Sequence, residues 1–93
     1  MALASETVKR VGLELGGKSA SVVLDDADVA QAAGAAGGSI CMNSGQVCAA
    51  LSRLIVPRSK QDEAVAAAKA AAESVKVGGA FEEGVVMGPV ASK

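Results

Sequence analysis

The sequence predicts a small α/β fold with a partly parallel sheet, on the basis of three observations. Two short apolar runs precede an alanine-rich stretch, and a third apolar run follows it. These runs are continuous rather than alternating, which is typical of strands covered on both faces. A second alanine-rich stretch comes after the third run. The predicted order is strand, strand, helix, turn, strand, helix, and such alternation indicates a layered α/β unit.

The first third of the chain supplies two predicted strands. Residues 1–9 are weakly patterned and indicate a frayed end or a short helix. Residues 11–15 are apolar apart from one glutamate, and residues 21–24 read Ser-Val-Val-Leu. A glycine pair separates the two runs, and two aspartates end the second. We therefore expect both runs to be strands.

A helix is predicted over residues 27–42. Asp25 or Asp26 is suited to the N-cap, and Asp28 suits the positive end of the helix dipole. The stretch is rich in alanine but contains three glycines, each of which costs about 1 kcal/mol relative to alanine. These glycines are alternatively explained by close packing against a neighbouring element.

The second half continues with a turn at residues 43–46 and the clearest strand, at residues 53–56, which a proline ends. A second helix is predicted from Ser59 or Asp62 to about Val75. A glycine pair ends that helix, and the remaining residues are predicted to be loop.

Composition limits the classes of function. The chain has 93 residues, of which 51% are hydrophobic, yet these are mainly Ala, Val and Leu, with Phe81 as the only aromatic. Such a core buries little area, so we expect marginal stability alone. A net charge of −1 without a basic patch argues against nucleic acid. No apolar run reaches the roughly 20 residues of a membrane span, and no secretory signal is evident.

The two cysteines, Cys41 and Cys48, are predicted to be reduced, which fits a cytoplasmic protein. With no histidine and no further cysteine, we expect no zinc or other metal site. The acidic residues Asp25, Asp26 and Asp28 lack the spacing of a calcium loop, and helix capping explains them. Cys41 is interpreted as a packing residue of the first long helix.

Cys48 is the first candidate for chemistry. It follows an Asn-Ser-Gly-Gln turn, whose backbone N–H groups can stabilise an oxyanion. A thiol attacks carbonyls as the thiolate and needs a base, but the absence of histidine excludes a Cys–His pair within the chain. Judged alone, Cys48 is better interpreted as a small buried residue.

Glu14 is the second candidate. It interrupts an apolar stretch, and apolar surroundings disfavour the charged form of a carboxyl group, as a general base operating near neutral pH requires. Judged alone, Glu14 is better placed on the solvent face of an edge strand. Gly16 and Gly17 match no phosphate-binding motif and indicate a sharp strand exit with close approach of a partner. Lys18 is interpreted as a solvated surface charge.

Taken together and in order, these segments resemble the aldehyde dehydrogenase family of NAD(P)-dependent enzymes. The resemblance runs from about residue 8 to residue 92. The separation of 34 residues between Glu14 and Cys48 also matches the family. The matching residues are Leu-Glu-Leu-Gly-Gly-Lys-Ser at 13–19, Asp-Ala-Asp at 26–28, Asn43, Gly45, Gln46, Cys48, Arg53 and the pair Gly88-Pro89.

The resemblance implies a partial aldehyde-dehydrogenase-like unit with Cys48 as nucleophile and Glu14 as base. Cys48 would attack the aldehyde to give a thiohemiacetal, and loss of hydride to NAD or NADP would leave a thioester. Glu14 would activate the water that hydrolyses this thioester. Leu15, Gly16 and Gly17 would lie near the nicotinamide ribose, and most of the cofactor site would lie outside this sequence. The implied parent is a cytoplasmic homo-oligomer acting on a small-molecule aldehyde.

The resemblance also implies domain boundaries. Residues 1–17 would end the cofactor-binding domain, and residues 18–93 would begin an incomplete catalytic domain. The Gly-rich loop of the family lies outside this sequence, so we expect the isolated chain to be inactive. Two alternatives remain: a non-catalytic piece that pairs with other subunits through exposed strands, or a thiol enzyme performing ester hydrolysis or acyl transfer with Cys48 and Glu14.

Overall fold

The computed structural model describes residues 1–92. The helices and strands are α1 (Ala2–Ser5), β1 (Ala20–Val22), α2 (Val29–Ser39), β2 (Arg53–Ile55) and α3 (Gln61–Glu73). Two 3₁₀ turns also occur, at Met42–Gly45 and Arg58–Lys60.

The sheet consists of β1 and β2 running parallel, with Ala20 opposite Arg53 and Val22 opposite Ile55. Parallel neighbours need a crossover connection, and α2 lies within it. The ladder extends past the strands, because Val23 N–H donates to the Ile55 carbonyl at 2.9 Å. The predicted α/β class with a parallel sheet is therefore confirmed.

The predicted strand at residues 11–15 is wrong. Residues 9–19 form neither helix nor strand. Leu13 and Leu15 are 55% and 71% exposed, and within the part of the chain that the structure describes no strand pairs with them. A strand needs a neighbour to accept its backbone hydrogen bonds, and an apolar run alone does not provide one.

The two long helices differ from prediction mainly at their ends. α2 begins at Val29, and its N-cap is Asp28 rather than Asp25 or Asp26, because the Asp28 carboxylate accepts a hydrogen bond from Gln31 N–H at 2.9 Å. Asp25 and Asp26 instead lie in a turn, in which the Ala27 N–H donates a hydrogen bond to the Leu24 carbonyl. α3 begins at Gln61, after the second 3₁₀ turn.

Packing of α2 on α3 forms most of the interior, and Gly37 lies at the closest approach. A Cβ added to Gly37 would lie 2.8 Å from the Ala68 Cα, whereas Gly34 and Gly38 have nothing within 4 Å. The close-packing explanation therefore holds for Gly37 and is wrong for the other two. The buried hydrophobic residues of the described chain are Val23, Val29, Ala33 and Ala64.

This interior is small for the length of the chain. The radius of gyration is 17.8 Å, whereas a compact domain of this length has about 12 Å. Phe81 is fully exposed, as are large parts of several leucines and valines. In residues 1–92, no helix has the length and apolar character needed to cross a bilayer.

Candidate active site

Glu14 and Cys48 line one open groove of about 340 Å³. One wall is residues 14–18, which we call the Glu segment, and the other is residues 45–48, the end of the Cys turn (residues 43–48). A second groove of about 540 Å³ lies over β2 and α3. Its lining includes neither a cysteine nor an ionisable side chain, so of these two grooves only the smaller one has side chains suited to nucleophilic or acid–base chemistry.

The parallel register explains why the two segments meet. Glu14 lies six residues before Ala20, the first residue of β1, and Cys48 lies five residues before Arg53, the first residue of β2. Because Ala20 pairs with Arg53 and both strands run the same way, the chain on either side arrives at the same edge of the sheet. Glu14 and Cys48 are far apart in sequence, but segments of nearly equal length connect them to paired strand residues, and this brings them close together.

Arg53 fixes the end of the Glu segment. Its backbone N–H donates to the Ser19 carbonyl at 3.2 Å, and its guanidinium Nε donates to the Lys18 carbonyl at 2.8 Å. Two donors from one residue therefore hold two successive carbonyls just before β1. A charged donor makes the second bond stronger than a neutral one, although its exposure to water reduces the gain.

Gly17 allows the two walls to come into contact. A Cβ added there would lie 3.1 Å from the carbonyl oxygen of Cys48, whereas a Cβ at Gly16 would meet nothing within 4 Å. Close approach of a partner was predicted for this glycine pair. The structure shows it at Gly17, and at Gly16 it shows open space instead.

The Cys turn has an unusual backbone. Asn43, Ser44 and Gly45 all have left-handed conformations, with φ of 49°, 57° and 74°. Asparagine and glycine tolerate this region, and serine does so less readily. Locally, the Asn43 side chain donates to the Gln46 carbonyl at 3.1 Å, and the Gln46 N–H donates to the Asn43 carbonyl at 3.1 Å.

Residues near the C-terminus also reach the Cys turn. The Ser44 hydroxyl donates to the Gly88 carbonyl at 2.8 Å and lies 3.2 Å from the Pro89 carbonyl. The Ala91 N–H donates to the Gln46 side-chain oxygen at 3.2 Å. Sequence reasoning missed these contacts. The one sequence signal that could have indicated them is that the Cys turn and the Gly88-Pro89 pair both belong to the resemblance to the aldehyde dehydrogenase family.

The candidate side chains themselves are accessible. Cys48 is an exposed free thiol, so its interpretation as a buried packing residue is wrong. Glu14 is exposed but belongs to no strand, so the edge-strand interpretation is also wrong. The Cys48 N–H makes no hydrogen bond within residues 1–92, which leaves it available to an oxyanion.

The remaining polar candidates have structural explanations. Lys18 is exposed, and its ammonium donates to the neighbouring Gly17 carbonyl at 3.1 Å. Cys41 is a half-buried free thiol just after α2, with its sulfur 3.7 Å from the Gly37 carbonyl. Among the described residues, no group of three or more His, Cys, Asp or Glu side chains could hold a metal ion.

Comparison with known proteins gives a consistent result. The model of the aldehyde dehydrogenase family matches residues 1–93. A Staphylococcus haemolyticus protein named as an aldehyde dehydrogenase is 48% identical over 93 residues, and a Staphylococcus saprophyticus protein of the same name matches equally. Each alignment covers 100% of this chain and 20% of the relative. The chain thus spans about a fifth of the length of these relatives.

Solved structures agree with the sequence match. Aldehyde dehydrogenase C of Pseudomonas syringae, crystallised as a mutant with NAD⁺ and octanal, superposes with a TM-score of 0.89 at 41% identity. The NAD⁺ complex of an aldehyde dehydrogenase from Bacillus cereus gives a TM-score of 0.85 at 41% identity. Both comparisons cover 99% of this chain and 19% of the other.

Proposed function

The chain belongs to the aldehyde dehydrogenase family, and from that premise we propose that it carries the nucleophile and the base of an enzyme that oxidises aldehydes to carboxylic acids with NAD or NADP. The main support is that Glu14 and Cys48, 34 residues apart, line the same groove. An exposed thiol and a nearby carboxylate are the two groups that acylation followed by hydrolysis requires.

Cys48 acts as nucleophile in this proposal. Its thiolate sulfur adds to the carbonyl carbon of the aldehyde, and the carbonyl oxygen takes up the electron pair. The free N–H of Cys48 donates to that oxygen. After the two-electron oxidation, Cys48 holds the acyl group as a thioester.

Glu14 acts as the base for hydrolysis. Its carboxylate takes a proton from a water molecule, the water oxygen bonds to the acyl carbon, and the carbon–sulfur bond breaks to release the acid and the thiolate. Glu14 is exposed in the groove, so water reaches it. It also serves to remove the thiol proton of Cys48 before the attack.

Leu15, Gly16 and Gly17 would lie near the nicotinamide ribose of the cofactor. These residues line the groove, and Gly16 has open space where a side chain would otherwise stand. When bound there, the nicotinamide supplies the hydride acceptor. Most of the cofactor site lies outside this chain, with residues 1–17 closing the cofactor-binding domain and residues 18–93 opening the catalytic domain. The isolated chain is therefore inactive, and the active enzyme is a cytoplasmic homo-oligomer.

A segment exchange tests the proposal. The aligned fifth of a full-length relative is replaced by residues 1–93, and aldehyde-dependent NAD⁺ reduction is measured with octanal. We expect turnover that Cys48→Ala lowers by about a thousandfold or more. Cys41→Ala is the matched control and keeps the activity, because Cys41 lies outside the groove. Turnover retained in Cys48→Ala would contradict the assignment of the nucleophile.

Glu14→Gln separates the two chemical steps. Without its base, the hybrid should release about one equivalent of NADH, more slowly than the unmodified hybrid because Cys48 must lose its proton to solvent, and then stall as the thioester, which mass spectrometry detects on Cys48. Sustained turnover in Glu14→Gln would show that another group activates the water. The isolated chain, given the same reagents, should reduce NAD⁺ no faster than its Cys48→Ala variant.

A further inference from the structure

The Cys turn adopts a conformation that its own sequence does not favour at every position. Ser44 has a φ of 57° between two other left-handed residues. Such a conformation persists only where surrounding structure holds it. The local bonds between Asn43 and Gln46 span the turn without involving the Ser44 side chain.

The bonds that do involve Ser44 come from a distant part of the chain. Its hydroxyl carries one proton, which it donates to the Gly88 carbonyl at 2.8 Å, with the Pro89 carbonyl as second acceptor at 3.2 Å. The Ala91 N–H reaches back to the Gln46 side chain. These contacts join residues 44 or 45 positions apart in the sequence.

We propose that residues 88–91 form a strap that positions the nucleophile, with Ser44 and Gln46 as the positioning residues through which it acts. The proposal rests on the function proposed for Cys48. Gln46 lies two residues before Cys48, whose carbonyl lies close to Gly17. The Cys turn is thus in contact with both the strap and the Glu segment.

Neither positioning residue touches the reacting atoms in this view. The strap restricts the turn to one arrangement, and this keeps the Cys48 sulfur beside the position of Glu14. Loss of one hydrogen bond lets the turn sample other conformations, and the two side chains then meet less often. The measurable quantity is the effective concentration of the side chain at position 14 with respect to the Cys48 thiol.

The experiment uses the 93-residue chain with Glu14→Cys and Cys41→Ala, so that the two remaining thiols are at positions 14 and 48. Equilibration with reduced and oxidised glutathione gives the effective concentration of this pair. We expect Ser44→Ala to lower it about three- to tenfold, the factor that one ordinary hydrogen bond supports. Ser44→Gly should lower it similarly, because it also lacks the hydroxyl.

Ser74→Ala is the matched control. The Ser74 hydroxyl also donates to a backbone carbonyl, at 2.7 Å, but within its own helix end. Urea unfolding of each variant gives its folded fraction. Two results would refute the strap: equal effects of Ser44→Ala and Ser74→Ala on the effective concentration, or an unchanged effective concentration in Ser44→Gly. It is also refuted if the effective concentration falls only in proportion to the folded fraction.

A second readout examines Gln46 directly. Deuterium exchange at the Ala91 amide should become about tenfold faster in Gln46→Met, which lacks an acceptor, and remain slow in Gln46→Glu, which keeps one. Equal exchange in the two variants contradicts the role of Gln46. Neither readout involves aldehyde or cofactor, so the strap and the proposed oxidation are tested separately.

Discussion

Replacing Gly37 by alanine tests the packing that holds α2 against α3. The added Cβ would lie 2.8 Å from the Cα and 2.9 Å from the carbonyl carbon of Ala68. Carbon atoms in contact need about 3.5 Å, so the helices must separate. Such overpacking costs about 1–3 kcal/mol, and the better helix propensity of alanine returns about 1 kcal/mol. Because the clash is with backbone atoms, which cannot rotate away, the cost lies in the upper part of that range, and we expect the free energy of unfolding to fall by about 1–2 kcal/mol.

The control is Gly38→Ala in the same helix. An added Cβ at Gly38 meets nothing within 4 Å, so only the propensity gain of up to about 1 kcal/mol remains. Urea unfolding followed by far-UV circular dichroism measures both variants. With a slope of about 1 kcal/mol per molar urea, the two midpoints should move in opposite directions. Stability of Gly37→Ala equal to or above that of the unmodified chain would refute the packing.

Three further predictions concern the site and its support. Gly17→Ala should lower the effective concentration of thiols at positions 14 and 48 about threefold or more, because its Cβ would lie 3.1 Å from the carbonyl oxygen of Cys48. Gly12→Ala is the control: its Cβ would meet nothing within 4 Å, so the effective concentration should stay unchanged. Asp28→Ala should cost about 1 kcal/mol of unfolding free energy through loss of the N-cap, and Asp26→Ala less than about 0.5 kcal/mol; equal losses would contradict the cap. Arg53→Met should cost about 1 kcal/mol in the same urea assay, since its side chain donates to a carbonyl just before β1, and an unchanged midpoint would show that this bond contributes nothing.

Local sequence signals predicted the elements whose partners lie within this chain. β2 and both long helices occur near their predicted positions, because an apolar run, a proline and alanine-rich helical spacing act locally. The run at 11–15 has the same apolar character but is not a strand. Whether such a run becomes a strand depends on a neighbour to pair with, and local composition contains no information on that neighbour.

The identity of the N-cap of α2 likewise could not be predicted from local composition. Asp25, Asp26 and Asp28 are chemically equal candidates, and only the turn preceding α2 decides that Asp28 reaches the Gln31 N–H. The glycines of α2 were also equivalent in sequence. Gly37 differs from Gly38 only because α3 passes over it, which is a tertiary fact.

The meeting of Glu14 and Cys48 follows from the sheet more than from either motif. Each residue lies five or six positions upstream of a strand, and the strands are parallel with their first residues paired. In an antiparallel pair, equal upstream spacers would end at opposite edges. The α/β alternation favours a parallel sheet, so the sequence pattern contains part of the reason for this juxtaposition. What it lacked was the register, because a shift of the Ala20–Arg53 pairing by two residues would displace the segments by about 7 Å and separate the thiol from the carboxylate.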